Sequence, residues 1–423
     1  MPPEDQATVR ATLDRVAATG EQASMVYRIR RADGAVRHRS STVGLERAAD
    51  GTPVALVGVS TDITERVEQE DRLERAQEEA RKTKEPALLD HRGVTLKVAE
   101  TGAPGGYAFR CETDGAIWFF KRPNPNDPWG VRVSLRSLTL ALYGLGGARQ
   151  SLFETLDALG IPIAAHGVSI GRVDYAIDFL APGFVLEADH FVTHSRTRRK
   201  DHFEGMQGYG TANGRQSLTI GSMPGKQIIV YDKRADVIAK NKREWWEIWN
   251  AGRRKAGKPE LERHDRDGAQ IWRVELRAGK HHLKEDWGIR SFADLDARLG
   301  DLYARMMQSI RYSFPRPDTH RNRWPVHPLW HMATEAMKGD LFEMVSHADP
   351  DRVKQVAREA QAEMLAAQIA GLSVSHAHML GYGLSDFLDY LDRRRDELAA
   401  AARENPAALE DRFAKAERRY VFI

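Results

Sequence analysis

Residues 217–233, SLTIGSMPGKQIIVYDK, bring a phenol and an amine close together in the chain. Residues 218–220 and 227–231 are rich in β-branched side chains, and residues 221–226 are turn-forming, so the stretch predicts a hairpin. On an extended second strand Tyr231 and Lys233 fall on one face. A tyrosine beside a cation is a candidate nucleophile. Two further strand-like runs offer acids. RVDYAIDF, residues 172–179, carries Arg172, Asp174 and Asp178 on one face, and WRVELR, residues 272–277, carries Arg273, Glu275 and Arg277 on one face. Asp174, Asp178 and Glu275 are hard oxygen ligands that suit Mg²⁺ or Mn²⁺. An ion there would polarise a phosphodiester oxygen while Tyr231 attacks phosphorus and Lys233 or an arginine stabilises the developing charge. The competing reading of each carboxylate is an ion pair with its neighbouring arginine, because a buried charge needs a counter-charge.

The chain that must position these groups has 423 residues, enough for two or three domains and a sizeable core. Its 42% hydrophobic and 29% charged content is that of a globular protein. A single cysteine, Cys111, excludes an intramolecular disulfide and a cysteine-based zinc site, and fits a reducing cytoplasm. The first residues lack the apolar core of a signal peptide, and no apolar run approaches the ~18 residues of a membrane span. The net charge of +3 is unevenly spread: residues 191–290 hold 22 Lys and Arg against 13 Asp and Glu. A basic middle between acidic flanks points to a polyanion partner. Within it Arg196, Arg198, Arg199 and Lys200 form a basic turn suited to phosphate, with Lys226, Arg273 and Arg277 as further nucleic-acid contacts.

Strands interleaved with single helices predict an α+β fold with a mostly antiparallel sheet over residues 87–330. Helices are expected over residues 148–159, 186–194, 236–254 and 292–311. The third of these carries Trp245, Trp246 and Trp249, either packed on the sheet or stacked on unpaired bases. His281 and His282 are adjacent, so they point to opposite faces of any strand and do not read as a ligand pair. Residues 331–423 are nearly all helix, with one helix opening at Asp349-Pro350 and another over residues 384–403, as in a bundle hairpin or an oligomerisation arm.

At the N-terminus, YRIRRADGAVRH and DGTPVALVGVSTDITER resemble the C-terminal part of a PAS sensor domain. The resemblance implies a truncated PAS segment over residues 1–67 with an unpaired sheet edge. A helical linker over residues 68–86 follows. The ordered set GRVDYAIDF, SLTIGS with IIVYDK, and WRVELR resembles the replication initiation factor family of plasmids and filamentous phages, and VRVSLRSLTLALYGLGGARQSLFETLDALG resembles its N-terminal half. This resemblance implies a rolling-circle initiator that binds single-stranded or hairpin origin DNA, nicks one strand with a divalent metal, and joins the 5′ phosphate to a tyrosine. It carries Tyr231 as the nucleophile, Lys233 as the supporting cation, and Asp174, Asp178 and Glu275 as the carboxylates. It further implies a host helicase partner and allows a homo-oligomer. The chain lacks the His-apolar-His motif of the wider nicking superfamily, which leaves metal ligation open. The alternative is a DNA-binding regulator without catalysis, using the PAS segment as an interaction module.

Overall fold

A computed structural model describes residues 1–122, 130–161, 163, 167–193, 199–202, 217–339, 341 and 344–423, with only the backbone of residues 199–202. In chain order the first elements are α1 (Pro3–Thr19), β1 (Ala23–Arg30), β2 (Val36–Arg47), β3 (Pro53–Asp62), α2 (Thr64–Thr83), β4 (Ala87–His91), β5 (Val94–Val98), β6 (Tyr107–Glu112), β7 (Ala116–Lys121) and β8 (Val131–Leu135). Then come α3 (Ser137–Ala158), β9 (Arg172–Leu180), β10 (Phe191–Thr193), β11 (Arg199–His202), β12 (Ser217–Gly221), β13 (Lys226–Asp232), α4 (Lys233–Ala239), α5 (Glu244–Lys255) and β14 (Ile271–Gly279). The chain ends with α6 (Phe292–Ser309), β15 (Ile310–Tyr312), α7 (Pro328–Ala336), α8 (Pro350–Met379), α9 (Phe387–Glu404) and α10 (Pro406–Tyr420). Helices and antiparallel sheets make an α+β architecture with a helical C-terminal region. Among the described residues no helix is long and apolar enough to cross a membrane.

The chain divides into two compact units. The first comprises residues 1–134, 155–161 and 414–419. Here β1–β2–β3 form a three-stranded antiparallel sheet. Val16 of α1 packs on Ala23, Met25 and Val43. The outer strand β3 is exposed at every residue and, among the described residues, pairs only with β2. A second sheet, β4 to β8 in sequential order, buries Phe109, Cys111 and Trp118. Burial pushes the Cys111 thiol up to about 12, so it is not a reactive thiolate.

The second unit comprises residues 135–154, 162–413 and 420–423. Its sheet has the order β11–β12–β13–β14–β9, antiparallel at every junction. Alternation assigns the faces. Val274 and Leu276 of β14, Ile228 and Val230 of β13, and Leu218 and Ile220 of β12 enter one core with Leu299, Leu302 and Met306 of α6 and Trp330 of α7. The intervening residues, including Tyr231, Arg273, Glu275 and Arg277, take the other face.

Local departures from the sequence expectation have identifiable causes. The helix expected over residues 186–194 is a single turn at Ala188–His190 followed by β10, and the one expected to run to residue 311 stops at Ser309. Phe191, Val192 and Thr193 pair with Tyr312, Arg311 and Ile310, so tertiary pairing claims both ends. The helix expected over residues 236–254 is split into α4 and α5 at Asn241, whose φ is +50°. α3 begins at Ser137, before the expected residue 148, and is broken at Gly144.

The β12–β13 register is set at Gly221, which has a φ of +95°, and a Cβ there would lie 2.2 Å from the Lys226 carbonyl oxygen. Gly221→Ala is therefore expected to cost about 1–3 kcal/mol from the strained backbone, with the clash against the Lys226 carbonyl added to it. Urea unfolding of the full chain, compared with Gly257→Ala, checks this, because Gly257 also has positive φ but has nothing within 4 Å of its Cβ position.

Candidate active site on the central sheet

Three strands that are separate in sequence lie side by side here. β14 is the middle strand, with β13 on one side and β9 on the other. Arg273 stands opposite both Tyr231 and Asp178, Glu275 opposite Ile229 and Ala176, and Arg277 opposite Gln227 and Asp174. Directly opposed residues in an antiparallel pair share a face. Tyr231, Arg273, Glu275, Arg277, Asp174 and Asp178 thus form one polar patch.

Within that patch every acid is held by an arginine. Arg273 grips Asp178 with two bonds, Nε to Oδ1 at 2.6 Å and a terminal nitrogen to Oδ2 at 2.8 Å. Arg277 donates from Nε to Glu275 Oε1 at 2.6 Å. Arg172 donates from Nε to Asp174 Oδ1 at 2.7 Å. The Tyr231 hydroxyl donates to Glu275 Oε2 at 3.4 Å. Burial opposes the charge on Arg273, yet Asp178 beside it holds the guanidinium above its usual range. Burial pushes the Tyr231 phenol well above the usual tyrosine range; Arg273 pulls it down and Glu275 adds to the rise. The phenol is half-buried.

The patch grades from closed to open. Arg273 and Glu275 are buried, whereas Asp174 and Arg172 at the far end are exposed. The closed end is covered by α5. The Trp249 indole Nε1 donates to Asp178 Oδ2 at 2.8 Å, and the Arg273 guanidinium lies over the Trp245 ring at 4.6 Å. Trp245 and Trp246 are buried and Trp249 is packed against the same cluster, so the trio is core and not a platform for bases.

Lys233 departs from its expected strand face. The strand ends at Asp232, whose side chain caps α4 by accepting from the Ala235 N–H, and Lys233 is already the first helical residue. It is buried, and its Nζ donates to Asp236 Oδ2 at 2.7 Å and lies 5.8 Å from the centre of the Tyr231 ring. Burial lowers its pKa, as does Arg273, while Asp236 raises it. Asp236 is the positioning residue that sequence reasoning passed over, whereas Trp249 takes the packing role expected as one of its two readings. The signals were there: an Asp before Lys233 marks a helix N-cap, which puts Asp236 one turn on.

The remaining candidates separate. Lys226 lies on the apolar face, half-buried, with Nζ donating to Ser309. Tyr175 also faces the core, against Tyr303, and burial pushes its phenol up to about 12. His282 is buried and bonded to Asp286 at 2.6 Å, and His281 is exposed. Arg196 and Arg198 lie outside the described residues; Arg199 and Lys200 are placed only as backbone, opposite Ile220 and Thr219.

The carboxylates do not assemble as a ligand set. Asp174 and Asp178 share a face but stand about 13 Å apart along the strand, whereas ligand–metal distances are about 2.0–2.6 Å. Each also has an arginine as its partner. Among the described residues no group of three or more His, Cys, Asp or Glu side chains converges to hold a metal. Sharing a face was a sound expectation; sharing one ion does not follow from it.

Residues 1–68 match the family model for the PAS fold. Among solved structures, the chain is similar to a rolling circle replication initiator protein from Geobacillus stearothermophilus, with 16% identity, 57% of this chain and 82% of that chain covered, and a TM-score of 0.32. It is also similar to a sensory box histidine kinase/response regulator from Burkholderia thailandensis, with 31% identity over 19% of this chain and 61% of that chain and a TM-score of 0.17. A third similarity is to the PAS domain of a GGDEF family protein from Chromobacterium violaceum, at 36% identity over 15% and 59% of the two chains and a TM-score of 0.10. No curated protein matches the chain.

Arg273→Met leaves the Asp178 charge without its partner and is expected to destabilise the chain by about 3–5 kcal/mol. Arg273→Met/Asp178→Leu removes both charges and is expected to recover most of that loss. Equal losses for the single and double variants in urea unfolding would show that the pair is not the source.

Proposed function

We propose that this protein is a DNA replication initiator that binds an origin and nicks one strand through Tyr231, starting rolling-circle replication of a plasmid or phage. The observation that carries the proposal is the Tyr231–Glu275 hydrogen bond in a row that also holds Arg273 and Arg277. A phenol with a proton acceptor and cations beside it is equipped for attack on a phosphodiester.

In this reading Tyr231 Oη attacks phosphorus as Glu275 Oε2 takes the phenolic proton. The P–O3′ bond breaks, the 3′ oxygen leaves and takes a proton from water, and the 5′ phosphate is held as a tyrosine ester. Joining is the reverse. Arg277, toward the open end, faces the charge developing on the phosphate oxygens, and Arg273, held by Asp178 beneath α5, adds positive potential. Lys233, held by Asp236, adds positive potential beside the ring. Glu275 therefore acts as a proton acceptor. Mg²⁺ or Mn²⁺ enters the proposal as an assay condition and not as a step, because the described carboxylates are paired with arginines and not with one another. DNA is proposed to reach the patch from its exposed end, at Arg172, Asp174 and Arg277. The domain proposal is a PAS segment over residues 1–67, a helical link over 68–86, a nicking domain over 87–330 and a helical region over 331–423. A host helicase is the proposed partner.

A second reading, DNA binding without cleavage, is favoured by the burial of Tyr231 and by the three arginine–carboxylate pairs. Incubation with a labelled single-stranded origin library separates the two. Wild type is expected to form an SDS-resistant adduct and Tyr231→Phe none. Binding is expected to weaken in the mutant by no more than about tenfold, the ceiling for one hydrogen bond of about 1.5 kcal/mol. Glu275→Gln is expected to slow adduct formation by about 10²–10⁴-fold, as loss of a general base does. Absence of wild-type adduct with Mg²⁺, with Mn²⁺ and with chelator, alongside retained binding, would favour the second reading.

Whichever reading holds, affinity is expected to fall linearly on a log–log plot against salt, by about 0.7 per phosphate contacted on single strands. A salt-insensitive complex would count against the basic middle segment as the DNA face.

A further inference from the structure

Among the described residues, the first half of helix α8 is anchored beside α4 and α5. Val353 and Ala360 are buried, and the Ala360 carbonyl accepts from Asn241 Nδ2. Beyond them, residues 364–385 contain no Asp, Glu, Lys or Arg. An uncharged stretch of this length on an exposed helix is unusual for a solvated surface. Inside the α8–α9 hairpin the contact is small: Ala377 and Tyr390 are buried, and His376 Nδ1 meets the Tyr390 hydroxyl at 2.9 Å.

Larger apolar side chains point away from that seam. Ile369, Leu372 and Met379 on α8, and Leu388 and Leu398 on α9, are 53–85% exposed, and Leu384 in the turn is 97% exposed. Their spacing is the three-and-four alternation of a coiled-coil stripe. The two stripes repeat one pattern: Ile369, Leu372 and Met379 match Leu388, Leu391 and Leu398 in offset, with His376 and Arg395 at the one remaining position of each. Each stripe is about 15 Å long at 1.5 Å per residue.

We propose that this hairpin is a dimerisation arm, and that its occupant is the same hairpin of a second copy, closing a four-helix bundle about a two-fold axis. Two antiparallel helices with the same offsets are self-complementary, since a two-fold partner presents an α9 stripe to each α8 and the reverse. Residues 364–385 offer no charge to nucleic acid or to an acidic peptide, and on α9 the stripe's Arg395 is already paired with Asp392 and Asp396. The size fits a small interface. Seven side chains, 38–97% exposed, at about 60–120 Å² each when fully exposed, offer about 300–600 Å² per copy before flanking residues are counted, at the lower end of interface sizes.

Light scattering and sedimentation equilibrium on the full chain test this. Wild type is expected at the mass of two chains at micromolar concentration. Leu372→Glu/Leu388→Glu is expected to weaken association by more than about 100-fold, since four buried leucines are lost per dimer. The control Val374→Glu, exposed but off the stripe, is expected to remain dimeric. Circular dichroism and the unfolding midpoint verify that all variants keep their fold; if the double variant loses it, Leu372→Gln alone, read by the dissociation constant, takes its place. A monomeric wild type overturns the proposal and leaves the stripe to a different protein. A folded Leu372→Glu/Leu388→Glu chain that stays dimeric also overturns it, by placing the interface elsewhere.

Discussion

Strand β14 is buried on both faces, and most of the second unit follows from that constraint. One face is apolar and joins the core under α6 and α7. The other carries Arg273, Glu275 and Arg277, charges that a covered sheet cannot leave unmatched. Each therefore has a counter-charge placed by strand register: Asp178 across from Arg273, and Glu275 two residues along its own strand from Arg277. The tryptophans of α5 complete the arrangement by closing one end of the row.

Much of this was legible from residue types and period. Alternation in RVDYAIDF, IIVYDK and WRVELR assigns the polar face correctly, and ordered motifs suffice to predict that these strands meet. What alternation cannot supply is distance along a strand. Asp174 and Asp178 share a face, and that fact alone says nothing about whether they share a ligand; the rise per residue does. Nor can it say where a strand stops. Lys233 reads as the next residue on the Tyr231 face until Asp232 is recognised as a helix cap. The β10–β15 pair shows the same limit from the other side, since Phe191 and Ile310 were assigned to helices by local pattern and drawn into strands by each other.

The two units differ in how they handle exposed apolar surface. In the first, β3 presents Val54, Leu56, Val57 and Val59 to solvent along an open edge. In the second, many of the exposed apolar side chains lie on α8 and α9, with helical rather than strand spacing. An edge strand recruits through backbone hydrogen bonds and is tolerant of sequence; a stripe on a helix recruits through side-chain fit and is selective. A chain that must choose one copy of itself over other partners gains more from the second kind of surface.

The face alternation of β13 and β14 also limits how the gene can drift in length. Losing or gaining one codon inside either strand would rotate Tyr231 or Glu275 into the oily interior and drive Val230 or Val274 out among the charges. Changes by two codons preserve parity. Length variation among descendants of this chain should therefore gather in the turns and long loops, and where it does reach these strands it should come in even steps.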